Sequence, residues 1–160
     1  MSKTALVAGS FDPITNGHLN IIERASKMYD KVVVLVTANP NKNSLFTAQQ
    51  RESMIVKVTK HLENVSIDSF TGLLADYVNE NNIDVVVRGL RNIDDFTNEM
   101  QMAHLNANLY KNGTETVFLM SEPEHTYISS SAVKEIASLG GDIKKLVPKS
   151  IIKYVTNMEE

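Results

Sequence analysis

The sequence has no cysteine, which excludes disulfides, thiolate metal sites and a cysteine nucleophile, and leaves the compartment undictated by redox. No apolar run approaches the roughly 18 residues of a membrane span, and Met1-Ser2-Lys3 runs straight into an apolar segment. A cytoplasmic protein with no membrane contact is therefore expected. Positive charge is not in excess: the formal net charge is −3, which argues against a general nucleic-acid coat but leaves room for local basic clusters around a small anion. The seven glycines never form GxGxxG or a Walker A pattern, so a dinucleotide oxidoreductase and a P-loop kinase both lose support. HExxH, a His/Asp cluster at ligand spacing and a GxSxG elbow are missing too, which removes the ordinary signs of zinc or serine-triad hydrolysis. Repeats, low-complexity tracts and linkers are absent, and 160 residues suffice for one domain, 1–160, with a sizeable core.

What is present alternates between strand and helix periods. Thr4 to Ala8, Val32 to Val36, Val65 to Phe70, Val85 to Val87 and Thr116 to Met120 read as strands. The second is a continuous β-branched run of the kind buried on both faces of a parallel sheet. Between them, Leu19, Ile22, Ala25 and Met28 predict a helix that begins near Asn16-Gly17, and Thr47-Ala48-Gln49-Gln50 reads as a capping box opening a second helix. That helix is expected to run through Met54, Val58, His61 and Leu62, with Asn64 ending it. Leu73, Leu74, Tyr77 and Val78 mark a short third one. A long fourth should carry Phe96, Met100, Ala103, Ala107 and Tyr110 on its core stripe, with Met102, Leu105 and Leu109 as either a wider core face or a subunit contact. A serine of Ser129-Ser130-Ser131 caps the fifth, Gly140-Gly141 stops it, and a closing helix after Pro148 is anchored by Ile151, Ile152, Val155 and Met158. Right-handed crossovers then give a single-domain, Rossmann-like α/β fold, a doubly wound sheet of five parallel strands with helices on both faces.

In such sheets ligands bind beyond the carboxyl ends of the strands. The stretch Gly9-Ser10-Phe11-Asp12-Pro13-Ile14-Thr15-Asn16-Gly17-His18 joins strand one to helix one with more special residues than a turn needs. Gly9 is expected to turn the backbone sharply and Pro13 to fix one φ. The helix start should point free N–H groups, together with His18, at a phosphate. A lone Gly-His pair would ordinarily be a loop with a helix-starting histidine, but the same rim also carries Lys42, Arg88, Arg91 and Ser129 to Ser131. Lys42 alone reads as a solvated loop lysine, and the serines alone as a cap. Two arginines three apart directly after a buried strand fit a bound anion better than solvated charge. Cations, backbone N–H groups and one histidine suit phosphoryl or nucleotidyl transfer, where catalysis is mostly positioning and charge stabilisation. A phosphate nucleophile, with a second pKa of about 6, needs little help from a base.

Thr15-Asn16-Gly17-His18 resembles the (H/T)xGH signature of the nucleotidyltransferase superfamily, and Ile128-Ser129-Ser130-Ser131 followed by Lys134 resembles its second signature. With Arg88-Gly89-Leu90-Arg91 and Glu99-Met100-Gln101-Met102-Ala103-His104, the resemblance narrows to the bacterial phosphopantetheine adenylyltransferases and spans nearly the whole chain. It implies that ATP and 4′-phosphopantetheine give dephospho-coenzyme A and pyrophosphate, with magnesium held on phosphate oxygens and water, by in-line attack without a covalent intermediate. It also implies that His18, Lys42, Arg91 and Ser10 act on the reacting phosphates, and that Ser10, Lys42, Leu74 and Arg88 hold phosphopantetheine. Leu73 would line the arm, and Asn106 and Glu135 would reach its amides. ATP would meet Ser10, Phe11, His18, Gly89, Leu90, Arg91, Glu99, His125, Thr126, Tyr127, Ile128, Ser129, Ser130 and Ser131. A hexamer and feedback by coenzyme A are further implications.

Three positions depart from the family's usual pattern. Ser10 stands for a common threonine and keeps the hydroxyl. His125 replaces an aromatic or different polar residue on the adenine side, and Gly72 removes a side chain that some relatives place beside the arm. Two other readings remain open at this stage. One is a superfamily enzyme acting on another acceptor such as nicotinamide mononucleotide. The other is a non-catalytic adenylate sensor.

Overall fold

The computed structural model describes residues 2–38 and 43–157, so Lys42 and Met158 lie outside the described residues. Five parallel strands stand in the order β3-β2-β1-β4-β5. They are β1 (Thr4–Gly9), β2 (Lys31–Thr37), β3 (Val65–Phe70), β4 (Val85–Leu90) and β5 (Glu115–Met120). The helices are α1 (Asn16–Met28), α2 (Ala48–Val58), α3 (Leu74–Glu80), α4 (Ile93–Ala107), α5 (Ser130–Ser138) and α6 (Ile152–Thr156). Strand alternation divides the core as the pleat requires. Ala5, Val7, Val32, Val34, Val85 and Val87 face the layer built by α1, α2, α5 and α6. Leu6, Ala8, Leu35 and Val86 face Tyr77 and Val78 of α3. No described helix is long and apolar enough to cross a membrane.

The order reverses at β1, and there the crevice opens. β1 pairs with β4 only as far as Val7 and Val87, while β4 continues beside β5 through Arg88, Gly89 and Leu90. Expected as loop, Arg88 is therefore on a strand, where the backbone pairing with β5 fixes it. Past Val87 the two central strands diverge, and the Arg88 guanidinium reaches across the gap to the carbonyl of Ala8 at 2.6 Å. Gly89 has a close-packing reason: a Cβ there would lie 3.0 Å from Ile21 Cγ1 of α1.

Four other expectations need correction. The sharp backbone conformation after β1 belongs to Phe11, at φ +46, and Gly9 is the last strand residue. α2 stops at Val58: Thr59 is its C-cap, leaving helical dihedrals at φ -101 and ψ 7, and its N–H and hydroxyl both donate to the carbonyl of Ile55, at 3.0 and 2.8 Å. His61 and Leu62 fall in the turn beyond. On α4, no residue is buried. The side it turns inward carries Asp95, Glu99, Ala103 and Asn106, all partly covered, whereas Phe96, Met102 and Leu105 are 42%, 52% and 61% exposed. This helix covers the sheet only in part, with Phe96 packing edge-on against Phe118 of β5 at 5.8 Å between centroids, and forms a wall above the strand ends. Finally, the first-turn N–H groups of α1 are mostly committed: Asn16 donates to the carbonyl of Leu146 at 2.9 Å and His18 to the Thr15 hydroxyl at 3.3 Å.

Gly72, between β3 and α3, sits at φ +151. A Cβ there would stand 2.9 Å from the Phe70 ring. Gly72→Ala should therefore cost about 1–3 kcal/mol through strain, read as a lower denaturant midpoint. An unchanged midpoint would mean that the turn relaxes freely.

Candidate active site

Two cavities meet at the carboxyl edge. The larger, about 360 Å³, lies over the β1–β4 divergence and is walled by the β1–α1 turn, β4, α4 and the start of α5. The smaller, about 270 Å³, lies under α4 and is lined by Gly72, Leu73, Leu74, Met102, Asn106 and Tyr110 among others. Arg88 and Glu99 belong to both. The boundary is a bidentate ion pair, with Arg88 Nε and Nη2 donating to Glu99 Oε2 and Oε1 at 2.6 and 2.7 Å. Such forked pairing fixes the plane of the guanidinium as well as its charge.

His18 acquires its role from the helix start. Thr15 is the N-cap of α1, and His18 takes the third helical position of a capping box. There the backbone N–H of Thr15 donates to His18 Nδ1 at 3.0 Å, so the imidazole does what a glutamate or glutamine usually does. Nδ1 is an acceptor in that bond, which leaves the proton of the neutral ring on Nε2. Phe11 packs against the ring, 5.1 Å between centroids and at 77°. Burial, then the nearby charges of Arg91 and Arg88, push the His18 pKa down to about 4. All three causes act in one direction. At neutral pH His18 is thus a neutral hydrogen-bond donor on a rigid mount.

A stability consequence follows. The ordinary histidine value is 6.5, so between about pH 6.5 and 4 the unfolded chain binds this proton more readily than the folded one. Stability attributable to His18 is intact above that window and falls as pH drops through it, by up to roughly 3 kcal/mol. His18→Gln should lose less stability than the parent between pH 7 and 4.5 in urea unfolding; parallel losses would contradict this.

Arg91 donates from Nε and Nη2 to Asp95 at 2.8 and 3.0 Å and from Nη1 to the carbonyl of Ile128 at 3.1 Å. Asp95 is held below the usual carboxylate range, chiefly by that guanidinium. The link ties β4 to the second signature, where Ser129 caps α5 by accepting from Ala132 N at 3.1 Å. Next to it, the Ser130 hydroxyl donates to the carbonyl of Pro13 at 2.8 Å, joining the second signature to the turn that leads into the first.

Ser10, Phe11, His18, Gly89, Arg91, Ile128, Ser129, Ser130 and Ser131 therefore line the larger cavity, with Arg88 and Glu99 at its boundary. Leu73, Leu74 and Asn106 line the smaller. Leu90, His125, Thr126, Tyr127 and Glu135 line neither. His125 instead lies behind Gly17, whose added Cβ would meet the His125 Cβ at 3.6 Å. Sequence reasoning did not assign Asp95, Tyr110 or Thr116 to the cavity walls. The i,i+4 spacing of Arg91 and Asp95 was a usable signal for the first of these.

Cationic donors, a neutral histidine and two helix starts at the switch point of a parallel sheet define a nucleotide-handling transferase. The cytidylyltransferase-like family model matches residues 6–136, and the chain belongs to that family. It is 48% identical over 155 residues to the phosphopantetheine adenylyltransferase of Clostridium novyi (strain NT), covering 97% of this chain and 96% of that one. For the enzymes of the same name from Gloeothece citriformis and Rubrobacter xylanophilus, the identities are 51% and 52%, with 95% and 94% of this chain and 96% and 92% of theirs covered. Within the family, the chain belongs to the phosphopantetheine adenylyltransferases. A solved Vibrio parahaemolyticus structure, provisionally named a nicotinate-nucleotide adenylyltransferase, matches all of this chain and 98% of its own at a TM-score of 0.72 and 18% identity. At that identity the likeness concerns the fold.

Proposed function

We propose that the chain is a pantetheine-phosphate adenylyltransferase (EC 2.7.7.3), which joins the AMP moiety of ATP to 4′-phosphopantetheine and releases pyrophosphate. The product, dephospho-coenzyme A, places the reaction at the penultimate step of coenzyme A biosynthesis, in the cytoplasm. The observation that carries this reading is the adjacency of two cavities that share Arg88 and Glu99. One is polar and built from both signatures, the other has the leucines and Asn106 that suit an amide-bearing arm.

The terminal phosphate oxygen of phosphopantetheine attacks the α-phosphorus of ATP, forming the new P–O bond while the bond to the β-phosphate oxygen breaks in line. Arg88, Ser10 and Lys42 hold the incoming phosphate, with Leu74 beside its arm. His18, through Nε2–H, steadies the charge that builds on the α-phosphate oxygens. Arg91, Ser10 and Lys42 share that load. ATP lies against Phe11, Gly89, Glu99 and the segment Ile128 to Ser131, all on the walls of the larger cavity. The donor set suits magnesium carried on phosphate oxygens and water, because the wall carboxylates Asp95 and Glu99 are each bound to an arginine. When bound, magnesium neutralises charge on the departing pyrophosphate.

Coenzyme A repeats the product's arm and adenylyl group, so it would compete for both cavities as a feedback ligand. The homohexamer is what the family resemblance implies, and the uncovered apolar residues of α4 support a subunit contact there. Leu105→Glu should convert the assembly to smaller species in sedimentation velocity; an unchanged assembly would remove α4 from the contact.

The test of the function is pyrophosphate release from magnesium-ATP with 4′-phosphopantetheine or nicotinamide mononucleotide as acceptor. Release with the first supports the reading. Release with the second alone moves the chain to another acceptor, and release with neither leaves an adenylate-binding protein.

A further inference from the structure

Two charged side chains outside both cavities are almost fully withdrawn from water: Asp12 is 5% exposed and Arg51 3%. Burial of a charge costs several kcal/mol unless hydrogen bonds replace its hydration. Both are engaged by Phe46, and each has further partners. Asp12 Oδ1 accepts from Phe46 N and Oδ2 from Leu45 N, each at 2.9 Å, and Oδ2 also accepts from Lys134 Nζ at 2.8 Å. Arg51 makes no ion pair among the described residues. Its Nε donates to the carbonyl of Phe46 at 3.1 Å, and its Nη1 to the carbonyls of Ser10 and Thr37 at 2.7 and 3.3 Å.

Phe46 is thus held by its N–H from one side and by its C=O from the other. Arg51 ties the ends of β1 and β2 to the start of α2, and Asp12 ties the first signature to α5 through Lys134. Burial raises the Asp12 pKa, but Lys134 and the two N–H groups outweigh it and keep the carboxyl ionised. No neutral side chain replaces either group in place. Asparagine would keep one oxygen and turn an NH2 toward either Lys134 or a backbone N–H, and lysine at position 51 lacks the fork that spans three carbonyls.

We propose that Asp12 and Arg51 are positioning residues for adenylyl transfer, a buried bracket that sets Ser10, Leu45 and Phe46 against the second signature. The inference rests on the adenylyltransferase reading. Arg51 acts through the Ser10 backbone, and Asp12 acts through Phe46 and Lys134. Neither touches substrate.

The test uses Arg51→Lys and Asp12→Asn, with kcat measured per folded enzyme well below each variant's melting temperature, and KM measured for both substrates. The parent enzyme is assayed first, and its failure to turn over phosphopantetheine would refute the functional reading rather than the bracket. Given parent activity, each variant is expected to fold and to lose at least tenfold in kcat, with KM for ATP moving less than threefold. In a Ser10→Ala background, Arg51→Lys should cost less than threefold, because the group it positions has gone. A kcat within twofold of the parent in both variants would overturn the proposal, as would an equal loss from Arg51→Lys with and without Ser10. If Arg51→Lys does not fold, the kcat of Asp12→Asn decides by the same limits.

Discussion

His18→Ala should lower kcat by about 100- to 1000-fold, the effect of removing one preorganised donor from a developing oxyanion. The KM values should move far less, because the bond is worth most in the transition state. Folding is a separate matter. His18 also accepts the N–H of Thr15 in the capping box, so the alanine variant should lose about 1 kcal/mol from the helix start, in addition to the edge contact with Phe11. His18→Gln separates the roles. Glutamine suits the third helical position of the box and lacks the imidazole edge, so its stability at neutral pH should match the parent while turnover stays low. Turnover within a few-fold of the parent in both variants would remove His18 from the chemistry.

Arg88→Ala should raise the KM for phosphopantetheine by at least about tenfold, in keeping with the loss of a charge-assisted hydrogen bond to a phosphate. The pair with Glu99 makes the effect larger than a simple deletion. With Arg88 gone, the Glu99 carboxylate stands uncompensated where the two cavities meet, and it repels the incoming dianion. Adding Glu99→Gln to Arg88→Ala should therefore recover part of the lost affinity. Steady-state kinetics with varied acceptor reads both effects, and an unchanged KM in Arg88→Ala would refute the assignment.

The alternation of strands and helices was legible because it rests on local patterns: β-branched runs, a capping box at Thr47 and a serine cap at Ser129. The residues that converge on the larger cavity were legible for a related reason. They follow strands, and a parallel sheet delivers the ends of all its strands to one rim. What the pattern hid depended on pairing between distant segments. Arg88 reads as loop, since nothing in its neighbourhood says that β4 follows β5 after leaving β1. The apolar residues of α4 read as a core stripe, because periodicity reports that a face exists and not what covers it. The end of α2 at Thr59 lies inside a stretch whose apolar spacing continues to Leu62, so periodicity alone could not place it. Asp12 and Lys134 look like ordinary charges until the fold pairs them across 122 residues of sequence, and Arg51 until it is buried against the carbonyl of Ser10, 41 residues away. The left-handed Phe11 was invisible for the same reason, as a bulky residue takes that conformation only where surrounding structure compels it.

The central claim is direct transfer of AMP from ATP to the acceptor phosphate, and a rapidly quenched single turnover tests it most directly. With enzyme in excess over magnesium-ATP and saturating 4′-phosphopantetheine, dephospho-coenzyme A and pyrophosphate should appear together, at one rate and in equal amounts. Pyrophosphate that precedes the adenylylated product, with AMP retained on the protein in the interval, would contradict the account.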